Sequence, residues 1–315
     1  MFKKSSKIFI AGHKGLVGSA ILRKLKKLNY NNIITIDKKK LDLTNQYNTL
    51  NFFKKKKPEF VFICAAKVGG IFANNKYKAD FIYNNLQIQN NLIHSSYLNK
   101  VKKIIFLGSS CVYPNTISKK INETDLLTDQ LEKTNEPYAI AKIAGIKMCQ
   151  SYNNQYKTNF ISLMPTNTFG PGDNYNLKNS HFIPALIKKI HNLKNKKKKI
   201  LNIWGTGKVR RELIYVDDLA EACIYFMKRN VKHDLINIGT GKDFTINHYA
   251  KRLLKILNVK AKIKYDRSKP DGTKRKLLDI SVAKKYGWYP KTDFEDAILE
   301  TYRNFLIKYK VKVFR

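Results

Sequence analysis

The chain alternates short, unbroken apolar runs with longer stretches in which apolar residues recur every three or four positions. Lys7 to Ala11, Asn32 to Asp37, Glu59 to Ala66, Lys103 to Ser109 and Asn159 to Met164 are each nearly continuous in Ile, Val, Phe and Leu. A strand covered on both faces reads this way, whereas a strand with one wet face alternates. Helical patterns lie between the runs at Leu16 to Leu28, Ala79 to Leu98 and Tyr138 to Tyr156. Repeated strand and helix order requires crossover connections, so the pattern predicts an α/β fold, a Rossmann-type doubly wound parallel sheet. After Pro165 the alternation loosens through Gly170, Pro171, Gly172 and a polar stretch to Ser180. A second lobe is expected to begin there. The expected division is a Rossmann domain at 1–170, joined by 213–241, with 171–212 and 242–315 forming a smaller mixed α/β lobe.

A length of 315 residues suits a core plus a smaller lobe. With 43% hydrophobic residues, 15 Gly and 8 Pro, the composition excludes collagen-like and low-complexity chains. No apolar run approaches the ~18 residues of a bilayer span, so no membrane partner is expected. The apolar stretch at the start breaks at His13 and Lys14 before a signal peptide core could form, and reads as a first strand. Cys64, Cys111, Cys149 and Cys223 lack CxxC or zinc spacing, which predicts a reducing, cytoplasmic setting and no metal site.

The 61 Lys+Arg against 23 Asp+Glu give a formal charge of +38, which ordinarily points to a polyanion. Only 9 of the 61 are Arg, the residue suited to bidentate reading of phosphate and guanine, and the lysines are dispersed. The runs Lys54 to Lys57 and Lys196 to Lys199 fall at expected element ends, as solvated charge would. No specific nucleic acid partner is expected.

Gly12-His13-Lys14-Gly15-Leu16-Val17-Gly18 follows the first apolar run and opens the first helical pattern. In such a GxxGxxG turn the first glycine permits the bend and the second lets the backbone approach a pyrophosphate. The third allows close helix packing, and the helix N-terminus, through Leu16 and Val17, holds the anion. Asp37 closes the second run, where a carboxylate would accept from a ribose 2′-hydroxyl. Lys14 and Lys38 beside it instead suit a 2′-phosphate, and the cations favour NADP(H) over NAD.

Tyr138 and Lys142 are four apart on a helical pattern and share one face. A neighbouring ammonium and the helix N-terminus are expected to lower the tyrosine from its ordinary value near ~10, making it a usable acid. Ser109 and Cys111 follow the fourth run at the carboxyl edge of the sheet, the side on which open α/β sheets bind ligands. If that segment stays extended, both face the same way.

Together, GxxGxxG, the serine after the fourth strand and YxxxK resemble the extended short-chain dehydrogenase/reductase family. AAKVGGIFANN (65–75), LGSSCVYP (107–114), TNEPYAIAKIAGIKMC (134–149), MPTNTFGPGDN (164–174), NSHFIPALIKK (179–189) and KPDGTKRKLLD (269–279) are similar to its GDP-L-fucose synthase branch. The resemblance runs from about Ile8 to beyond Trp288. It implies a bifunctional 3,5-epimerase and 4-reductase acting on a GDP-sugar, GDP-4-dehydro-6-deoxy-D-mannose, with NADPH, in a homodimer. It implies Ser109, Tyr138 and Lys142 as the reductase triad, Cys111 as epimerase base and His181 as epimerase acid, with Lys142 and His181 also touching the cofactor. Lys189, Trp204, Arg211 and Lys262 correspond to substrate contacts. The alternative enzyme is a related nucleotide-sugar 4-keto reductase or epimerase without the double epimerisation, which would need neither Cys111 nor His181.

Overall fold

The apolar runs become strands whose successive side chains enter two different cores. The computed structural model describes residues 1–117, 119–177, 179–268 and 271–309. Lys269 and Pro270 of the 269–279 stretch, and 310–315 of the expected second lobe, lie outside the described residues. The first half runs β1 (Ile8–Ala11), α1 (Leu16–Lys27), β2 (Ile33–Ile34), α2 (Gln46–Lys56), β3 (Phe60–Ile63), α3 (Ile71–Lys76), α4 (Lys78–Leu98), β4 (Lys103–Leu107), α5 (Glu136–Tyr156) and β5 (Phe160–Pro165). There follow β6 (Asn167–Phe169), α6 (Phe182–Leu193), β7 (Ile200–Trp204), β8 (Arg210–Tyr215), α7 (Val216–Lys228) and β9 (Leu235–Ile238). The chain closes with β10 (Asp243–Thr245), α8 (Ile246–Ile256), β11 (Lys262–Asp266), β12 (Arg275–Lys276), α9 (Ser281–Lys285) and α10 (Phe294–Lys308).

The large sheet has the order β2-β1-β3-β4-β5-β9, with every pair parallel. Ile8 and Ile10, Phe60 and Phe62, and Ile105 and Leu107 enter one core with Ile21 and Leu25 of α1 and Leu219 and Cys223 of α7. The residues between them, Phe9, Val61, Ile63, Ile104 and Phe106, enter the other with Leu92 and Ile93 of α4 and Ile143, Ile146 and Cys149 of α5. Each such side chain is worth about 1.5–3 kcal/mol of burial, and both faces demand it, which is why the runs are unbroken. Beyond β5 the chain builds a second, mixed sheet in which β8 pairs with β6 and β12 in parallel and with β10 antiparallel, beside a separate parallel pair of β7 and β11. Between them α7 returns to pack on α1, and β9 joins β5.

Two local expectations are corrected, and one element is unanticipated. The second run forms a ladder only at Ile33 and Ile34, because this edge strand pairs with β1 alone and the chain then turns to carry Asp37 back to the glycine loop. The segment after β4 does not stay extended: Ser110–Val112 is a single 3-10 turn. The short helix α3, preceded by Gly70 without a side-chain cap, carries no periodic apolar signal long enough to be read as a helix. Among the described residues, no helix is long and apolar enough to cross a membrane.

Candidate active site

The glycine loop between β1 and α1 is built by close approach. Gly12 has φ +86°, and a Cβ there would lie 2.7 Å from the Ala65 nitrogen. A Cβ on Gly18 would lie 2.2 Å from the Gly12 carbonyl oxygen, so the first turn of α1 sits directly on the loop. Gly15 is exposed, donates its N–H to the Gly12 carbonyl at 3.0 Å and precedes the helix without a side-chain cap. No acidic residue stands in the first turn. An uncapped helix start with exposed backbone and no competing carboxylate fits the pyrophosphate of a dinucleotide. Lys14 Nζ meets Asp37 Oδ1 at 2.8 Å and His13 Nε2 meets the same oxygen at 3.3 Å. The Lys14 hydrogen bond holds the Asp37 carboxyl below the usual carboxylate range. The two features that conflict in the sequence are thus partners in space, and Lys38 is exposed next to them.

At the end of β4 the Gly108 N–H still donates to the Leu163 carbonyl, at 2.9 Å. Ser109 then caps the 3-10 turn, its Oγ accepting from the Cys111 N–H at 3.3 Å. The turn buries Ser110 and Val112 and leaves Ser109 and Cys111 half-buried on the crevice wall. Both are therefore partly open because of a turn, not because of strand alternation. Tyr138 lies in the first turn of α5, with its ring 6.4 Å from that of Phe81. Lys142 is 3% exposed and donates to the Leu107 carbonyl at 2.8 Å, with Nζ 6.0 Å from the Tyr138 ring centre.

Burial brings the Lys142 ammonium down to about 8, opposed by Cys64 and Cys149. Burial also raises the Tyr138 hydroxyl above its ordinary range, with the Cys111 thiol adding to the rise. The depressed tyrosine expected from the sequence is therefore not what the fold produces. Lys142 is committed to the Leu107 carbonyl, and loss of water outweighs the helix terminus.

Arg211 belongs to β8 of the second sheet. Its guanidinium donates to the carbonyls of Arg210 (2.8 Å), Thr273 (2.6 Å) and Asp271 (3.5 Å). Burial lowers its pKa, and the Cys111 thiol is the leading influence against that fall, which sets the two groups near each other across the crevice. His181 precedes α6 as its N-cap residue. Gly70 donates to the Asn179 carbonyl at 3.3 Å, and Gly69 and Phe81 are packed closely enough that a Cβ on Gly69 would lie 3.2 Å from the Phe81 ring. The 69–81 segment therefore bridges the His181 loop to Tyr138. His181 retains open surface, yet crowding by protein pulls its imidazole below the ordinary histidine range. A group that is open in area and crowded in surroundings lines a crevice.

Lys189 Nζ lies 5.7 Å from the Trp204 ring centre and donates to the Asn202 carbonyl at 3.0 Å. Trp204 is 52% exposed, an open apolar face beside a cation. Lys262 is not brought to this group. The register pairs Asp266 with Trp204 and Lys262 with Ile200, so at ~3.3 Å per residue Lys262 sits about 13 Å back along the strand. The sequence reading missed Asp271, whose carboxylate accepts from the Thr206 N–H at 2.7 Å and the Thr206 hydroxyl at 2.8 Å. It clamps the turn between Gly205 and Gly207, both at positive φ, and so fixes the stretch between Trp204 and Arg211. The two glycines marked the turn, but nothing local named its partner 65 residues away.

A Rossmann sheet with a glycine loop at its carboxyl edge, and a serine, a tyrosine and a lysine gathered around the end of β4 and the start of α5, defines a nucleotide-dependent epimerase or reductase. The chain belongs to the NAD dependent epimerase/dehydratase family, whose model matches residues 8–239. It is 49% identical over 302 residues to GDP-L-fucose synthase 1 of Arabidopsis thaliana, covering 96% of this chain and 94% of the relative. It is 44% identical over 311 residues to GDP-L-fucose synthase of Escherichia coli (strain K12), covering 95% and 96%. The crystal structure of a GDP-L-fucose synthetase from Naegleria fowleri bound to NADP superposes with a TM-score of 0.91 at 28% identity, covering 99% of this chain and 96% of that one.

Proposed function

We propose that this chain converts GDP-4-dehydro-6-deoxy-D-mannose to GDP-L-fucose by 3,5-epimerisation followed by NADPH-dependent reduction at C4. The reading is supported by two separate acid/base sets: Tyr138 with Lys142 and Ser109 around the end of β4, and Cys111, two residues beyond Ser109, with His181, whose loop is tied to the 69–81 segment that packs on Tyr138. A simple reductase would need only the first.

The cofactor is NADP(H), and when bound it supplies a hydride to C4. Gly12, Gly15 and Gly18, with the amides of Leu16 and Val17, would hold its diphosphate, and Lys14 and Lys38 would face the 2′-phosphate. Lys142 and His181 would reach its nicotinamide end. Ser109 donates to the C4 carbonyl and Tyr138 delivers the proton to the C4 oxygen as it becomes a hydroxyl. Lys142, itself buried, supports the tyrosinate left behind.

Epimerisation uses the same ketone. The C4 carbonyl acidifies the hydrogens on both C3 and C5, and inversion requires removal on one face and delivery on the other. Cys111 takes the proton as base and His181 returns one as acid. Lys189, Trp204 and Arg211 bind the GDP part, with cations against the diphosphate and the open indole face against a flat ring. We take residues 1–170 with 213–241 as the cofactor domain and, among the described residues, 171–212 with 242–309 as the substrate lobe, with the β6–β8 ladder lying across the boundary. Tyr83 and Leu98 of α4 and Ile140 and Tyr156 of α5 are exposed apolar residues on neighbouring helices, which supports pairing with a second copy. Four unbridged cysteines support a cytoplasmic setting.

The test is incubation with GDP-4-dehydro-6-deoxy-D-mannose and NADPH, with the product sugar identified by NMR. GDP-L-fucose is expected. An un-epimerised 6-deoxy sugar as sole product would overturn the reading in favour of a simple reductase.

A further inference from the structure

The turn carrying Cys111 is held at its two ends by different means. On its N-terminal side lies the β4 ladder, ending in the Gly108 bond to the Leu163 carbonyl at 2.9 Å. Ser109 follows that bond immediately, Lys142 is tied to the neighbouring Leu107 carbonyl, and Tyr138 is carried separately by α5, so none of the reductase groups depends on the far end of the turn. Cys111 stands two residues further out, where the ladder has ended. On its C-terminal side Tyr113 is 1% exposed, and its hydroxyl donates to Asn237 Oδ1 at 2.6 Å. Asn237 is 0% exposed and belongs to β9, which lies beyond β5 in the sheet. Its amide Nδ2 donates to the Ile121 carbonyl at 2.9 Å, and its backbone N–H donates to Glu123 Oε1 at 2.8 Å. The side-chain polar atoms of this Tyr-Asn pair therefore each have a partner inside the core, and the pair spans from the Cys111 turn to the far strand.

We propose that Tyr113, through its hydrogen bond to Asn237, is the positioning residue for Cys111. It sets the height of the thiol over the sugar and so governs epimerisation, while leaving reduction to groups anchored elsewhere. The proposal rests on the assignment of Cys111 to the epimerase half. Removing the hydroxyl frees the C-terminal end of a three-residue turn without touching the ladder, so displacement falls on Cys111 more than on Ser109. A misplacement of about 1 Å at a reacting group costs on the order of a hundredfold in rate.

The experiment separates the two half-reactions in Tyr113→Phe. Proton exchange is followed as deuterium uptake at C3 and C5 in D2O with NADPH omitted. Reduction is followed as NADPH consumption on sugar already epimerised by the Tyr138→Phe protein. Exchange should fall about ten- to a hundredfold while reduction stays within about twofold of wild type. Asn237→Ser deletes the same bond together with the one to the Ile121 carbonyl, so exchange should fall at least as far as in Tyr113→Phe, and the double variant should lose no more exchange than Asn237→Ser alone. Loss of both half-reactions together, or of neither, overturns the proposal, because a merely structural tyrosine would lower both in proportion to the folded fraction. Cys111→Ser serves as the separate control: wild-type exchange in that variant would overturn the epimerase assignment itself, whatever Tyr113 does.

Discussion

Gly18→Ala puts one methyl group where the fold has least room. The new Cβ would lie 2.2 Å from the Gly12 carbonyl oxygen, 2.8 Å from its carbon and 3.0 Å from His13 Cα. Ordinary contact begins near ~3.5 Å, so the helix and the loop must separate by about 1.3 Å at this point. Neither side yields easily, because Ala20, Ile21 and Leu25 of the same helix are 0% exposed and Gly12 is itself wedged against Ala65. Overpacking of this kind costs about 1–3 kcal/mol, against which alanine's helix preference returns about 0.5–1 kcal/mol. A net loss of up to roughly 2.5 kcal/mol should appear in the urea midpoint. Cofactor affinity should suffer more than stability. Losing one hydrogen bond to a charged group is worth about 1.5–3 kcal/mol, which is roughly a 10- to 150-fold rise in Kd for NADPH, read by its fluorescence on titration. Gly15→Ala is the control for stability, since a Cβ there meets only the Gly12 oxygen, at 3.3 Å. Wild-type NADPH affinity and an unchanged midpoint in Gly18→Ala would refute the close-approach account of the loop.

Tyr138→Phe should lower reduction by about 10²–10⁴-fold while deuterium still washes into C3 and C5, because only the C4 oxygen needs the phenol; a wild-type reduction rate would remove Tyr138 from its role. Lys142 titrates at about 8 in the fold against an ordinary 10.5. Between those values the unfolded chain holds the extra proton, so stability should rise with pH across that window, and Lys142→Met should lose that part of the slope in urea midpoints taken at several pH values. For the same reason the reduction rate should fall as pH climbs through about 8; a rate that is flat to pH 10 would show that the ammonium is not required. Asp37→Asn should raise the NADPH-to-NADH ratio of kcat/KM several-fold, since it removes a negative charge that engages Lys14 at 2.8 Å, and a fall in that ratio would show that the carboxylate assists rather than opposes the 2′-phosphate.

The parallel sheet, the glycine loop and the Tyr138–Lys142 pair were legible because each is a local rule written in neighbouring residues. Double burial forces unbroken apolar runs, a turn against a helix forces glycine, and a helix sets side chains four apart on one face. The sequence also marked two lysine runs as solvated charge, Lys54 to Lys57 and Lys196 to Lys199, which fall at the end of α2 and just past α6. What it left open are the features that depend on partners distant along the chain. Edge pairing stopped β2 after Ile34, and an Asp37–Lys14 pair replaced two opposed signals with one contact. Strand register carried Lys262 away from Trp204 while bringing Asp271 to Thr206. Burial reversed the expected shift of Tyr138, because the cost of removing a phenolate from water depends on how many distant segments close over it. The Tyr113–Asn237 bond joins residues 124 apart, so only the order of strands in the folded sheet decided that the Cys111 turn would be tied down at both ends.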